Sequence, residues 1–213
     1  MQTTDFSLYL ITDRQQTGGR PLAEVVRRAL EGGVRAVQLR EKDLSSAALY
    51  RLAAELRSIT SDFDARFIIN DRLDIALAVG ADGVHIGVNS LPVAAVRRLL
   101  GQDKIIGYSA HGIDEALRAQ ADGADFVTFG PLYPTPSKAA YGEPCGVKKL
   151  AEAASALDIP VIALGGISPV NISEALSADV QGVAVISAIM ASADPRGAAA
   201  SLLKKIEEYA RHS

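Results

Sequence analysis

Asp125-Phe126-Val127-Thr128-Phe129-Gly130-Pro131-Leu132-Tyr133-Pro134-Thr135-Pro136-Ser137-Lys138 is an apolar run that stops at a glycine and passes into a loop with three prolines and a terminal lysine. Phe126 to Phe129 has the composition of a buried strand and carries no reactive side chain. The loop is polar, stiffened by proline and cationic at its end. A rigid scaffold presents such a loop as a cover over an anionic ligand.

The same unit recurs outward in both directions. Further strand-type runs lie at Leu8–Thr12, Ala36–Leu39, Phe67–Asn70, Gly83–Ile86, Ile105–Ser109, Val161–Leu164 and Val183–Ile186. Helix-period stretches alternate with them: from Pro21 to Leu30, from a cap at Ser45 through Leu56, Leu73–Val79, from Pro92 to Leu100, Asp114–Ala121, Val147–Ala156, Pro169–Leu176 and Pro195–His212. Strands that read as continuous apolar runs are covered on both faces, which means a parallel sheet. Alternating β and α units allow an open doubly wound sheet or a closed barrel. The count of eight predicts a single (β/α)8 TIM barrel spanning residues 1–213. A faint repeat precedes the strands: Gly80-Ala81-Asp82-Gly83, Gly123-Ala124-Asp125-Phe126 and Ser177-Ala178-Asp179-Val180. It reads as recurring αβ-turn chemistry, with glycine ending the helix.

Composition narrows the function classes. The 213 residues are 48% hydrophobic and 22% charged, which suits one domain with a sizeable core. A net charge of −3 and 5% aromatics without tryptophan give no basic field or stacking platform for nucleic acid. No apolar run approaches the roughly 20 residues of a membrane span. Met1-Gln2-Thr3-Thr4-Asp5 has no signal-peptide character, so a cytoplasmic location is expected. Cys145 is alone, which excludes a disulfide framework and a cysteine-based metal site.

In such a barrel the chemistry sits at the carboxyl ends of the strands. The second strand ends Gln38-Leu39-Arg40-Glu41-Lys42, and the i, i+2, i+4 spacing puts Gln38, Arg40 and Lys42 on one face. That triplet suits a diphosphate; the alternative is an ordinary solvated strand end. Asp71, after Asn70, can ligate Mg2+ or cap the next helix. Ser109 can donate to a phosphate oxygen. His85 and His111 read as histidines with structural hydrogen bonds, behind the ligand contacts at best. Gly165-Gly166 and Ile186-Ser187 lie where barrels of this kind often bind phosphate through backbone N–H groups, although a glycine pair also makes a simple tight turn.

Together these pieces resemble the thiamine phosphate synthase family over nearly the whole chain. The carriers are Gln38-Leu39-Arg40-Glu41-Lys42, Ile69-Asn70-Asp71-Arg72, Asp82-Gly83-Val84-His85-Ile86-Gly87, Tyr108-Ser109-Ala110-His111, Gly130 to Lys138 and Gly165-Gly166-Ile167. The family joins hydroxymethylpyrimidine diphosphate to a thiazole phosphate with Mg2+, giving thiamine phosphate and pyrophosphate. The resemblance implies that Gln38, Arg40, Lys42, Asn70, Ser109 and Lys138 hold the diphosphate substrate. It implies Asp71 as the Mg2+ ligand, and Thr135, Pro136, Ser137, Gly166, Ile186 and Ser187 around the thiazole phosphate. Arg40, Lys42, Ser109 and Lys138 would serve catalysis by stabilising the departing pyrophosphate, and no nucleophilic side chain is required. Relatives are often dimers, so the partners implied are phosphorylated small molecules and a second copy of the chain.

One position departs from the family. After the His-x-Gly of the fourth strand its members usually carry Gln-Glu-Asp, with the aspartate a second Mg2+ ligand; here the residues are Val88-Asn89-Ser90. A unit charge at roughly 4 Å and an effective dielectric of about 20 is worth ~4 kcal/mol. Asp43 and Asp74 are the candidates to replace it. The departure raises two alternatives: a thiazole tautomerase-like isomerase, and a degenerate paralogue that binds thiazole phosphate without turnover. Tautomerase relatives carry a histidine directly after the glycine of the sixth strand, where this chain has Pro131, and they tend to lose the diphosphate residues kept here.

Overall fold

A computed structural model describes residues 5–134 and 143–212. Its eight strands form a closed parallel barrel in sequence order: β1 (Leu8–Ile11), β2 (Ala36–Leu39), β3 (Arg66–Asn70), β4 (Gly83–Gly87), β5 (Ile105–Ala110), β6 (Phe126–Phe129), β7 (Val161–Leu164) and β8 (Gly182–Val185). The last strand closes on the first with Tyr9 opposite Ala184. The helices are α1 (Leu22–Glu31), α2 (Ser46–Asp62), α3 (Leu73–Ala78), α4 (Val93–Leu100), α5 (Ile113–Ala121), α6 (Gly146–Ala156), α7 (Ile172–Leu176), α8 (Ser187–Met190) and α9 (Pro195–His212). The (β/α)8 barrel read from the strand count is therefore the observed fold. No helix among the described residues is long and apolar enough to cross a membrane.

The Ser45 hydroxyl caps α2 by accepting the Ala48 N–H at 3.3 Å. Two helical details differ from the sequence reading. The seventh helix starts at Ile172, not Pro169, because the Asn171 side chain accepts the Ser168 N–H at 2.8 Å and folds that stretch into a local turn. The helix α8 was not expected, since four residues are too few for a periodicity to register.

Two packed regions follow from strand alternation. One face of each strand meets the helices, as at Val37, Leu39, Phe67, Ile69 and Val127. The other fills the barrel with Phe6, Tyr9, Ile11, Ala36, Ile68, Ile105, Phe126, Ile162 and Ala184. Toward the carboxyl ends the interior turns polar: Gln38, His85 and Thr128 are all buried there. The Gln38 amide donates to the Tyr9 hydroxyl at 2.9 Å. His85 Nε2 lies 2.9 Å from Ser109 Oγ and 3.3 Å from Thr128 Oγ1. Space for the imidazole comes from Gly107, where an added Cβ would stand 2.4 Å from His85 Nδ1. Among the described residues, that Nδ1 is buried without a hydrogen-bond partner. An unpaired acceptor costs less than an unpaired N–H, so the proton belongs on Nε2, donated to Ser109.

The Gly-Ala-Asp repeat turns out to clasp the amino rim of the barrel. Asp82 accepts the Phe67 N–H at 2.7 Å and pairs with Arg57 at 2.6 Å. Asp125 does the same with the Ile106 N–H at 2.7 Å and Arg97 at 2.5 Å. In both, the aspartate of one strand joins the preceding strand to a helix arginine. The third copy is a turn only, with Asp179 exposed at φ 56.

Two outcomes follow. Arg97→Ala removes the partner of a largely buried carboxylate and the donor to the Gly123, Gly101 and Lys104 carbonyls. The expected loss is about 3–5 kcal/mol in a urea unfolding curve. Burial, helped by the charge of Arg40, pushes the His85 pKa down from 6.5 to about 3. The folded state then refuses a proton that the unfolded chain accepts, so the stability held above about pH 6.5 is lost as pH falls toward 3. The slope from this group is at most about 1.4 kcal/mol per pH unit, and His85→Gln should flatten it.

Candidate active site

The carboxyl mouth of the barrel encloses a cavity of about 480 Å3. Its walls are largely apolar, with Pro131, Leu164, Ile167 and Val185, and Ser109, Gly166, Ile186 and Ser187 open onto it. Four of the residues expected to contact substrate, from β5, β7 and β8, thus meet in one space. Two βα loops come very close beside it. The Gly130 backbone leaves no room for a side chain, since a Cβ there would stand 2.0 Å from the Leu164 carbonyl oxygen. Gly165 has φ 106, and a Cβ on it would stand 2.7 Å from Pro131 Cα. The loop after β6 is stitched to β7 by Leu132 N–H to the Leu164 carbonyl at 2.8 Å and Tyr133 N–H to the Gly165 carbonyl at 3.1 Å. Thr135, Pro136, Ser137 and Lys138, read as lid contacts, lie outside the described residues.

A second group occupies the rim from β2 to β4. Gln38 is buried in the polar layer and committed through its amide to Tyr9, while Arg40, two residues on, is half-buried. The Arg40 N–H donates to Thr12 Oγ1 at 3.0 Å. Its charge acts on His85, which in turn bonds Ser109. Ser109 thereby links the cationic rim to the cavity. With Nε2–H donated to the serine oxygen, the Ser109 hydroxyl proton is left to point at an anion. Lys42 is exposed. Among the described residues neither Arg40 nor Lys42 has a carboxylate within ion-pair distance.

Asp71 does not cap the following helix, whose N-cap is Arg72 without a side-chain bond. At φ 60 it takes the left-handed conformation that aspartate tolerates better than most residues. Its Oδ2 accepts the Asn70 amide at 2.9 Å, and its Oδ1 accepts the Ser90 hydroxyl. Ser90 is itself fixed by the Gly87 N–H at 2.8 Å. Neither proposed substitute for the missing carboxylate is available: Asp74 is held by Arg72 at 2.8 and 2.5 Å, and Asp43 by Arg14 at 2.8 Å through both oxygens. Among the described residues no group of three or more metal-ligating side chains forms. One carboxylate beside a hydroxyl still fits Mg2+, which commonly takes one or two carboxylates and fills its remaining positions with phosphate oxygens and water.

Other residues at the mouth were missed or undervalued. Gln16 lines the cavity from the turn after β1, and a polar residue soon after a strand end was the available signal. His111 lines it too, with Nδ1 2.5 Å from the Gly130 carbonyl oxygen, so it faces the site and does not stand behind it. Thr128 was legible as the one hydroxyl within an apolar strand. Among the described residues no nucleophile is poised here: burial raises the Cys145 thiol above its ordinary range, and Pro131 lines the cavity directly after Gly130.

Known proteins match this arrangement. The family model described as thiamine monophosphate synthase covers residues 8–189. The chain is 60% identical over 203 residues to a Geobacter sulfurreducens protein that carries the thiamine-phosphate synthase name, with 95% of both chains covered. It is 46% identical over 206 residues to the thiamine-phosphate synthase of Moorella thermoacetica, covering 97% of this chain and 98% of that one. Among solved structures, the thiamine phosphate pyrophosphorylase of Pyrococcus furiosus superposes with a TM-score of 0.89 at 39% identity over 96% of each chain. Proteins of this name are transferases acting on small phosphorylated substrates. On its fold, its mouth and these relatives together, the chain belongs to the thiamine monophosphate synthase family.

Proposed function

We propose that this barrel couples hydroxymethylpyrimidine diphosphate to hydroxyethylthiazole phosphate, releasing pyrophosphate and forming thiamine phosphate. The observation that carries the residue roles is the pairing of opposites at the mouth. Two cations without carboxylate partners among the described residues, Arg40 and Lys42, follow the end of β2 at the same mouth where an apolar-walled cavity opens among the ends of β5 to β8. Charge that develops on a leaving diphosphate is stabilised by fixed cations and donors. In this assignment Arg40, Lys42, Asn70, Ser109 and Lys138 take that role, and Gln38 holds the layer beneath them. The bond from the pyrimidine methylene carbon to the diphosphate oxygen breaks, its electron pair leaving with pyrophosphate. The thiazole nitrogen then supplies the pair that forms the new C–N bond. No protein nucleophile takes part, consistent with the walls of the cavity. Those walls also keep water from the carbocation before the thiazole reaches it.

Gly166, Ile186 and Ser187, with Thr135, Pro136 and Ser137 from the lid, are assigned to the thiazole phosphate. The turn at Gly166 and the backbone at Ser187 offer N–H groups on the open side of the cavity. Mg2+ is the proposed cofactor, with Asp71 as its protein carboxylate, and when bound it neutralises charge on the diphosphate. The Asn70 and Ser90 bonds hold that carboxylate in one orientation. A homodimer in the cytoplasm completes the proposal, checked by mass in solution and by cell fractionation.

Two measurements test the assignment. The purified chain given both substrates and Mg2+ should form thiamine phosphate and pyrophosphate, and Arg40→Ala should lower kcat by about 10²–10³-fold. Absence of product at high enzyme concentration would overturn the activity. Ser90→Asp places a second carboxylate beside Asp71, so Mn2+ titrated by electron paramagnetic resonance should bind more tightly than to the parent chain. An unchanged Mn2+ isotherm would remove Asp71 as the metal ligand.

A further inference from the structure

Four consecutive charges follow β2: Arg40, Glu41, Lys42 and Asp43. Left to themselves, neighbours of opposite sign would neutralise one another and leave nothing for an anionic ligand. In the structure they are separated. Glu41 is buried and accepts the Thr12 hydroxyl at 2.7 Å and the Arg14 N–H at 3.1 and 3.2 Å. Asp43 receives both terminal nitrogens of Arg14 at 2.8 Å and the Gln15 amide at 3.3 Å. The Arg14 guanidinium also stands 3.5 Å from Glu41. Both acids reach the turn after β1, while among the described residues neither Arg40 nor Lys42 has an acid within ion-pair distance. The turn after β1 collects the acids.

We propose that Arg14 is a positioning residue for the anion site: by holding Asp43 and Glu41 against the turn after β1, it keeps their negative charge from pairing with Arg40 and Lys42, so that both cations meet the substrate diphosphate uncompensated. This rests on the assignment of Arg40 and Lys42 to the diphosphate. A fork-to-fork pair fixes Asp43 in direction as well as charge, which a lysine at position 14 would not do. Asp43 is correspondingly held below the usual carboxylate range by the Arg14 bond. Arg14→Ala leaves the backbone N–H on Glu41 and frees only the side-chain pairing. Asp43 is exposed and one residue from Lys42, so its released carboxylate competes with an incoming anion.

The test is a charge-rescue cycle. Inorganic pyrophosphate is titrated calorimetrically into the parent chain, Arg14→Ala, Arg14→Ala/Asp43→Asn and Arg40→Ala, with Mg2+ present throughout at low ionic strength. Arg14→Ala should weaken pyrophosphate by about fivefold, the scale of one exposed charge pair. Removing the freed charge in the double variant should restore parental affinity. A loosened turn would not be mended by Asp43→Asn, so weak binding that persists in the double variant overturns the proposal. Parental affinity in Arg14→Ala overturns it too, while loss of binding in Arg40→Ala leaves the diphosphate site standing. Unchanged binding in Arg40→Ala overturns the diphosphate assignment itself, and with it the sorting of charge around it.

Discussion

Closure of β8 onto β1 is the constraint on which the remaining structure depends. With every strand parallel, closure sends all eight carboxyl ends to one mouth. Period-two alternation then decides which side chains enter the barrel. The interior is narrow, so it must be filled and not merely lined. Tyr9, Phe126 and Phe6 fill it toward the amino end, with Phe6 and Phe126 edge to face at 5.5 Å. Above the aromatic plug the polar residues begin, and each is paired. Gln38 uses the Tyr9 hydroxyl as its partner, and His85 uses Ser109. The single orphan among the described residues, His85 Nδ1, faces the gap left by Gly107. The buried layer is thus a transition zone between a dry plug and a wet mouth, and it holds Ser109 from beneath.

At the mouth the energetics change from packing to charge. Burial keeps His85 neutral, so the layer adds no positive charge under the cations. The acids of the β2 end are consumed by the β1 turn. Arg40 and Lys42, past the end of β2, have no acid within ion-pair distance among the described residues, and the side chains lining the cavity are nearly uncharged. Asp71 is the exception, and its two oxygens are each given a single neutral donor, which leaves lone pairs for a metal. Ser90 supplies a neutral donor to one of those oxygens, so Asp71 stands as a single negative charge there.

Much of this was legible in the chain, and the limits have physical causes. Continuous apolar runs such as Val161–Leu164 announce a parallel strand because both faces are covered, and recurrence of the unit announces the barrel. The cations at 40 and 42 were readable as a pair at a strand end, although β2 stops at Leu39 and Lys42 stands in a turn, so alternation does not place them on one face. What alternation could not supply was the partner on another element. Arg14 and Asp43 are 29 residues apart, and nothing local ties them together. For the same reason only the structure removed the helix-cap reading of Asp71, whose carboxylate instead accepts from Asn70 and from Ser90, 19 residues on. The lone histidines looked alike in sequence. Depth separates them, since His85 is buried in the barrel and His111 reaches the cavity from its rim. The short helix α8 lies below the length at which a periodic pattern can be recognised.

The arginine–aspartate clasps of the amino rim bear on how such a chain can change over time. Arg57 with Asp82, and Arg97 with Asp125, tie strand starts to helices at the end of the barrel opposite the chemistry. A residue exchanged at the mouth disturbs neither clasp nor the aromatic plug between them. Reactivity can therefore drift by single substitutions at the mouth while the scaffold continues to fold. Separating endurance from chemistry along one axis gives the barrel its tolerance for novelty.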